Sequence, residues 1–153
     1  MRLSPIQLLE SGIEKIFVER VRDDAKDQSM LANLDFQVFK EIRPFPEFWH
    51  EEPEPASLKD RTFRVTLGLR TPPEKHFQKY RFELVVSGVL MAMPESFRDR
   101  SVQDMVLEYG LTLLYGIARE QLAATSARML NGTCTLPTMS FLGEAKAVVE
   151  PES

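Results

Sequence analysis

SVQDMVLEYGLTLLYGIAREQLAATSARMLNGTCTLPTMSFL, residues 101–142, is the stretch on which the fold turns. It reads as a long helix, a stop, and an extended apolar tail. Between Leu107 and Ala118 the helix pattern is apolar almost all round, with only Glu108 and Thr112 polar. A helix apolar on every side must be covered on every side. One small sheet covers one side, so a second copy of the chain is expected to cover the rest. That interface is expected at Leu107, Leu111, Leu114, Tyr115, Ala118 and Leu122.

The ends of the helix carry signals of their own. Ser101 followed by Asp104 is a capping pair that satisfies orphan N–H groups of the first turn. Arg128 suits the negative end of the helix dipole, and Asn131-Gly132 supplies the left-handed residue that ends a helix. Roughly 30 helical residues would span about 45 Å. Gly110 and Gly116 are either weak spots or points of close helix–helix approach, the latter favoured by Ala118, Ala123, Ala124 and Ala127 nearby.

Upstream, four runs alternate as strands do. They cover residues 13–22, 33–43, 61–70 and 79–93. In the second, Leu34, Phe36, Val38 and Ile42 share one face, and Asp35, Gln37, Phe39 and Glu41 the other. In the fourth, Tyr80, Phe82, Leu84 and Val86 oppose Arg81, Glu83 and Val85, and Gly88 suggests a bulge. Strands first and helix last predict an α+β fold: a four-stranded antiparallel sheet with the helix packed on one face. The 153 residues suit one domain, with a lead segment at 1–11 and a loose tail at 143–153. Residues 44–60 hold Pro44, Pro46, Pro53 and Pro55, so a loop without regular structure is expected there. Its aromatics Phe45, Phe48 and Trp49 either tuck under the loop as a satellite core or form an apolar rim for a partner.

Composition narrows the function. The net charge is −4 and the isoelectric point about 5.3, which disfavours nucleic-acid binding. The single cysteine, Cys134, has no partner for an internal disulfide, and the N-terminal stretch lacks an uninterrupted apolar run, so a reducing cytoplasm is the expected location. The longest apolar run, residues 84–93, is too short to span a bilayer. His50 and His76 stand alone and show no metal spacing. Cys134 reads as a small buried hydrophobe, and no phosphate-cradling glycine motif is present. Asn131-Gly132-Thr133 matches a glycosylation sequon but is already explained by the helix stop. Arg119 and Glu120 form either an ion pair buried in an interface or a solvated one. No enzyme, metal or cofactor is expected. What remains is binding through an apolar groove, with Phe45, Phe48, Trp49, Leu136, Met139, Phe141 and Leu142 as candidates. Flexible and aromatic side chains accept many sequences.

Tyr115-Gly-Ile-Ala-Arg-Glu120, the helix stop, and then Thr135-Leu-Pro-Thr-Met-Ser-Phe141 together resemble the SecB export chaperone family. Arg64-Val-Thr-Leu-Gly-Leu and Tyr80-Arg-Phe-Glu-Leu-Val-Val-Ser-Gly88 resemble its third and fourth strands, and Ile16-Phe-Val-Glu19 the end of its first. The resemblance spans most of residues 7–142. It implies an ATP-independent holdase, built as a dimer of dimers with the long helices between them, that binds non-native preproteins and passes them to the motor SecA. SecA docks on acidic residues of the sheet in that family; Glu19 and Glu83 fall where two of them would be, and Lys15 stands at a third. The family's final helix is missing or reduced to residues 143–153. Some SecB-like proteins instead stabilise the antitoxin of a toxin–antitoxin system, which makes a dedicated single-partner chaperone the alternative reading.

Overall fold

The computed structural model describes residues 4–22, 36–94 and 101–141. Within them β1 (Ile6–Arg20), β2 (Gln37–Pro44), β3 (Thr62–Arg70) and β4 (Tyr80–Ala92) precede one helix, α1 (Val102–Ser126). The strands form one antiparallel sheet in the order β1-β4-β3-β2, so β1 and β2 are its edges. The expected α+β architecture is the one found.

The alternation in β3 and β4 explains the register. Leu67 pairs with Val86 and Leu69 with Leu84, so the branched side chains of both strands fall on one face. Phe63, Val65, Leu67 and Leu69 meet Tyr80, Phe82, Leu84, Val86 and Leu90 there, all buried under α1. The opposite face carries Arg64, Thr66 and Arg70 beside Arg81, Glu83 and Val85.

Several boundaries differ from the sequence expectation. β1 starts at Ile6, inside the stretch read as a lead segment, and runs for 15 residues with two register shifts. Ile6 is drawn into the core opposite Ala92, and the shifts let an imperfect alternation keep pairing with β4. Of the second run, residues 33–35 lie outside the described residues, and β2 extends to Pro44. The loop at 44–60 is not without regular structure: short 3₁₀ turns form at Pro46–Phe48 and Ala56–Arg61. The tail at 143–153 lies outside the described residues.

The helix begins as expected, with the Ser101 hydroxyl accepting from the Asp104 amide. It is unbroken at both glycines, but it stops at Ser126 and not at Asn131-Gly132. Ser126 ties this end down. Its buried hydroxyl donates to the Leu122 carbonyl at 2.7 Å and accepts from the Cys134 amide at 2.7 Å, pinning the returning chain against the last turn. Arg128 therefore lies beyond the helix, in the turn. Gly132 still uses its left-handed freedom, at φ 81°, to close that turn.

Candidate functional site

The six helix residues expected at a subunit interface all face the chain's own core. Leu107, Leu111, Leu114, Tyr115, Ala118 and Leu122 are none of them more than 4% exposed. The sheet covers one flank of α1. Residues 133–141 double back to cover a second, with the Phe141 ring edge-on to Tyr115 at 5.5 Å. Counting apolar residues round the helix missed this internal cover. What α1 leaves exposed is a narrower stripe through Tyr109, Leu113, Gly116 and Glu120. Gly110 does not mediate helix–helix approach either: a side chain there would lie 3.1 Å from Val65 of β3. Gly116 faces open space.

The expected groove residues are not brought together. Phe45, Phe48 and Trp49 sit where β3 begins. The Trp49 indole N–H donates to the Thr62 hydroxyl at 2.9 Å, Phe48 packs edge-on against Trp49, and Phe45 lies between the guanidinium groups of Arg43 and Arg64. All three are half-buried. Leu136 is buried beside the start of β4, next to the residue Gln78 holds, and Phe141 is buried against Tyr115 of α1, so neither lines an open groove. Met139 packs partly buried against the same core. Leu142 lies outside the described residues.

The segment 133–141 has no regular secondary structure, yet it is held closely. Gln78 grips both sides of one residue: its amide donates to the Thr135 carbonyl and its carbonyl accepts from the Thr135 amide, each at 2.8 Å. Arg119 donates to the Leu136 carbonyl at 2.8 Å, Tyr115 to the Pro137 carbonyl, and Tyr80 to the Gly132 carbonyl. Arg119 thus turns to a main-chain oxygen, while Glu120 is exposed. Upstream, the Asn131 amide donates to the carbonyls of Val21 and Lys79, which ties the turn after α1 to the sheet. Burial pushes the Tyr115 phenol up to about 12, against the pull of the Arg119 charge. The Tyr80 phenol is raised as well, first by burial and then by the neighbouring Cys134.

Glu19 and Glu83 lie on the sheet face away from the helix, but each has a cation beside it. Glu19 meets Arg81 at 3.3 Å, and Glu83 pairs with Lys15. On the same face Phe39 stands over Gly68, where the missing side chain leaves a concavity of about 550 Å³ bordered by Phe39, Thr66, Arg70, Glu83 and Val85. His50 is exposed and Cys134 buried. Among the described residues no group of three or more His, Cys, Asp or Glu side chains could hold a metal ion, and no helix is long and apolar enough to cross a membrane.

The sequence reading missed the apolar side chains the surface keeps. Leu8, Ile13, Ile16, Phe17, Phe39, Tyr109 and Leu113 are each between 38% and 48% exposed, and Leu130, in the turn after α1, is 85% exposed. Leu8, Ile13 and Ile16 pair with core-facing residues of β4, so they continue the helix-side face beyond the cover of α1. Phe17 pairs with Glu83 on the other face. Adjacent Ile16 and Phe17 could have signalled this, since neighbours in a strand point opposite ways.

No family model matches the sequence, and no curated protein matches it. In structure, the chain is similar to Mycobacterium tuberculosis Rv1957, a SecB-like chaperone solved in complex with a ChAD peptide from the Rv1956 HigA1 antitoxin. It is 13% identical, aligns over 89% of this chain and 91% of its own, and has a TM-score of 0.52. The fold is SecB-like. A Streptococcus agalactiae protein of unknown function matches at 9% identity over 87% of this chain and 97% of its own, with a TM-score of 0.45. Within the SecB-like fold, Tyr115 and Arg119, from the stretch that carried the sequence resemblance, are the side chains that hold residues 136–137 to the helix.

Proposed function

We propose that the chain is an ATP-independent holdase that binds non-native polypeptides through exposed apolar surface. The observation that carries this is the set of half-exposed large apolar side chains on the strands, Leu8, Ile13, Ile16, Phe17 and Phe39, apart from the helix stripe through which copies of the chain associate. Exposed apolar side chains grouped on one strand face, as Leu8, Ile13 and Ile16 are on β1, offer an interaction site. Burying it yields roughly 25 cal/mol per Å² without directional demand, which suits a partner of variable sequence. The SecB-like fold supports the same reading, since the neighbour Rv1957 is itself a chaperone seen with a peptide.

Copies of the chain associate through the edge strand β1 and the Tyr109–Leu113–Gly116 stripe, as a dimer or a dimer of dimers, in the cytoplasm. The clients are preproteins for export. A dedicated antitoxin chaperone is the second reading. It is favoured by the antitoxin peptide bound to Rv1957 and by the pairing of Glu19 and Glu83 with cations, which leaves little free acidity for SecA.

Light scattering of a denatured client, diluted into buffer without nucleotide, tests the first reading. A several-fold excess of the protein should suppress the scattering. Unchanged scattering would end the holdase reading. Suppression for one co-purifying partner only would favour the second.

A further inference from the structure

Five side chains hold residues 132–137 in place, and every bond they make to this segment falls on main-chain atoms: Tyr80 on Gly132, Ser126 on Cys134, Gln78 on both groups of Thr135, Arg119 on Leu136 and Tyr115 on Pro137. Contacts of this kind accept any sequence that can lie in the same path. The side chains that matter are Cys134, Leu136 and Phe141, buried at intervals, while Thr135, Thr138 and Ser140 face out. The cleft therefore selects a main chain with spaced apolar side chains, which is the pattern an unfolded polypeptide offers repeatedly.

The cleft is also built at a local cost. Gln78 and Lys79 form the two-residue turn into β4, with φ of 50° and 64°. Neither is the glycine or asparagine that such left-handed positions favour. Phe77 and Tyr80 close the turn through paired main-chain bonds. The strained turn is what points Gln78 at Thr135. Strain of this sort is tolerated where a contact depends on it.

We propose that this cleft, lined by Gln78, Tyr115 and Arg119, is a seat for an extended segment of non-native polypeptide, and that residues 133–141 are a strap occupying it until a client displaces them. This rests on the reading of the chain as a binder of non-native polypeptides. The strap keeps the apolar floor covered when no client is present, and it sets a threshold that only a segment of comparable apolar content passes.

The test is hydrogen exchange on the full chain, with and without a saturating reduced and carboxymethylated protein that cannot refold. A labelled synthetic peptide of residues 131–141 is the second probe. Client binding should speed exchange at the Cys134 and Thr135 amides, which donate to Ser126 and Gln78, at least tenfold. Gln78→Asn, which tolerates the left-handed turn but is too short to grip Thr135, should bind client several-fold more tightly, and the labelled peptide should compete. Client bound with exchange at 133–136 unchanged or slowed would overturn the proposal. So would a Gln78→Asn protein that loses thermal stability without gaining affinity, because a strap that is only structural behaves that way. If no unfolded protein binds at all, the holdase reading fails. The strap is then judged by the peptide alone: capture by Gln78→Asn supports an exchangeable strap, and no capture overturns it.

Discussion

Tyr115 shows how one residue joins core and strap. Its ring is buried against Phe141, and its hydroxyl donates to the Pro137 carbonyl. Tyr115→Phe keeps the ring and orphans that oxygen, which should cost about 1 kcal/mol in a urea titration near neutral pH. The raised phenol gives a second signature. With a folded value of about 12 against an ordinary value near 10, the unfolded phenol ionises first as pH rises. The stability contribution is complete below about pH 10 and is lost through the interval up to 12. The Tyr115→Phe protein should lose less stability over that interval than the parent. It should not lose the slope entirely, because burial raises Tyr80 too. Equal alkaline slopes in the two proteins would contradict the burial of Tyr115.

At the scale of elements, the two helix glycines make opposite demands. Replacing an interior helix glycine by alanine is worth up to about 1 kcal/mol in propensity. At Gly116 nothing lies within 4 Å, so Gly116→Ala should raise the chemical midpoint of unfolding. At Gly110 the added methyl would lie 3.1 Å from one Val65 methyl and 3.3 Å from the other, both on a stiff β-branched side chain of the sheet. Gly110→Ala should therefore destabilise despite its better propensity. The same pair reports on association. If the exposed stripe of α1 is a contact between copies, Gly116→Ala should lower the sedimenting mass at a fixed concentration. An unchanged mass would move the contact elsewhere.

The elements also show where sequence reading reached and where it stopped. The alternation in β3 and β4 placed Phe63, Val65, Leu67 and Leu69 on one face with Tyr80, Phe82, Leu84 and Val86, because a two-residue period admits one arrangement when one face is buried. Ser101 and Asp104 marked the start of α1 because a cap is a local event. Its end was not legible: the last turn is tied to Cys134 through Ser126, a contact that depends on how the chain folds back. For the same reason Leu136 and Phe141 looked like an open groove and proved to be core. Apolar content is written in the sequence, but which apolar surface the chain covers for itself is a tertiary outcome. Gln78 carried no signal at all, since its role depends on a turn that ordinary turn residues would favour more.

Over the whole molecule, the core explains a stable SecB-like fold and the surface explains a use for it. The helix-side core is closed by the strap. Leu8, Ile13, Ile16, Tyr109 and Leu113 remain as apolar surface, with Leu130 in the turn after α1 and Phe17 and Phe39 on the opposite face of the sheet. The charge pattern of that opposite face is mixed, with Glu19 and Glu83 each beside a cation, so the apolar side chains and not a single-sign field define what it can bind. On the holdase reading proposed above, a polypeptide would be recognised for being unfolded, since a folded one has its own apolar side chains inside.

Fluorescence anisotropy decides that point most directly: a labelled protein, held permanently unfolded by reduction and carboxymethylation, is titrated with the chain in the absence of nucleotide, beside the same labelled protein in its native disulfide-bonded form. Saturable binding of the unfolded form, with the folded form left free, is the expected result. Equal binding of both, or of neither, would contradict it.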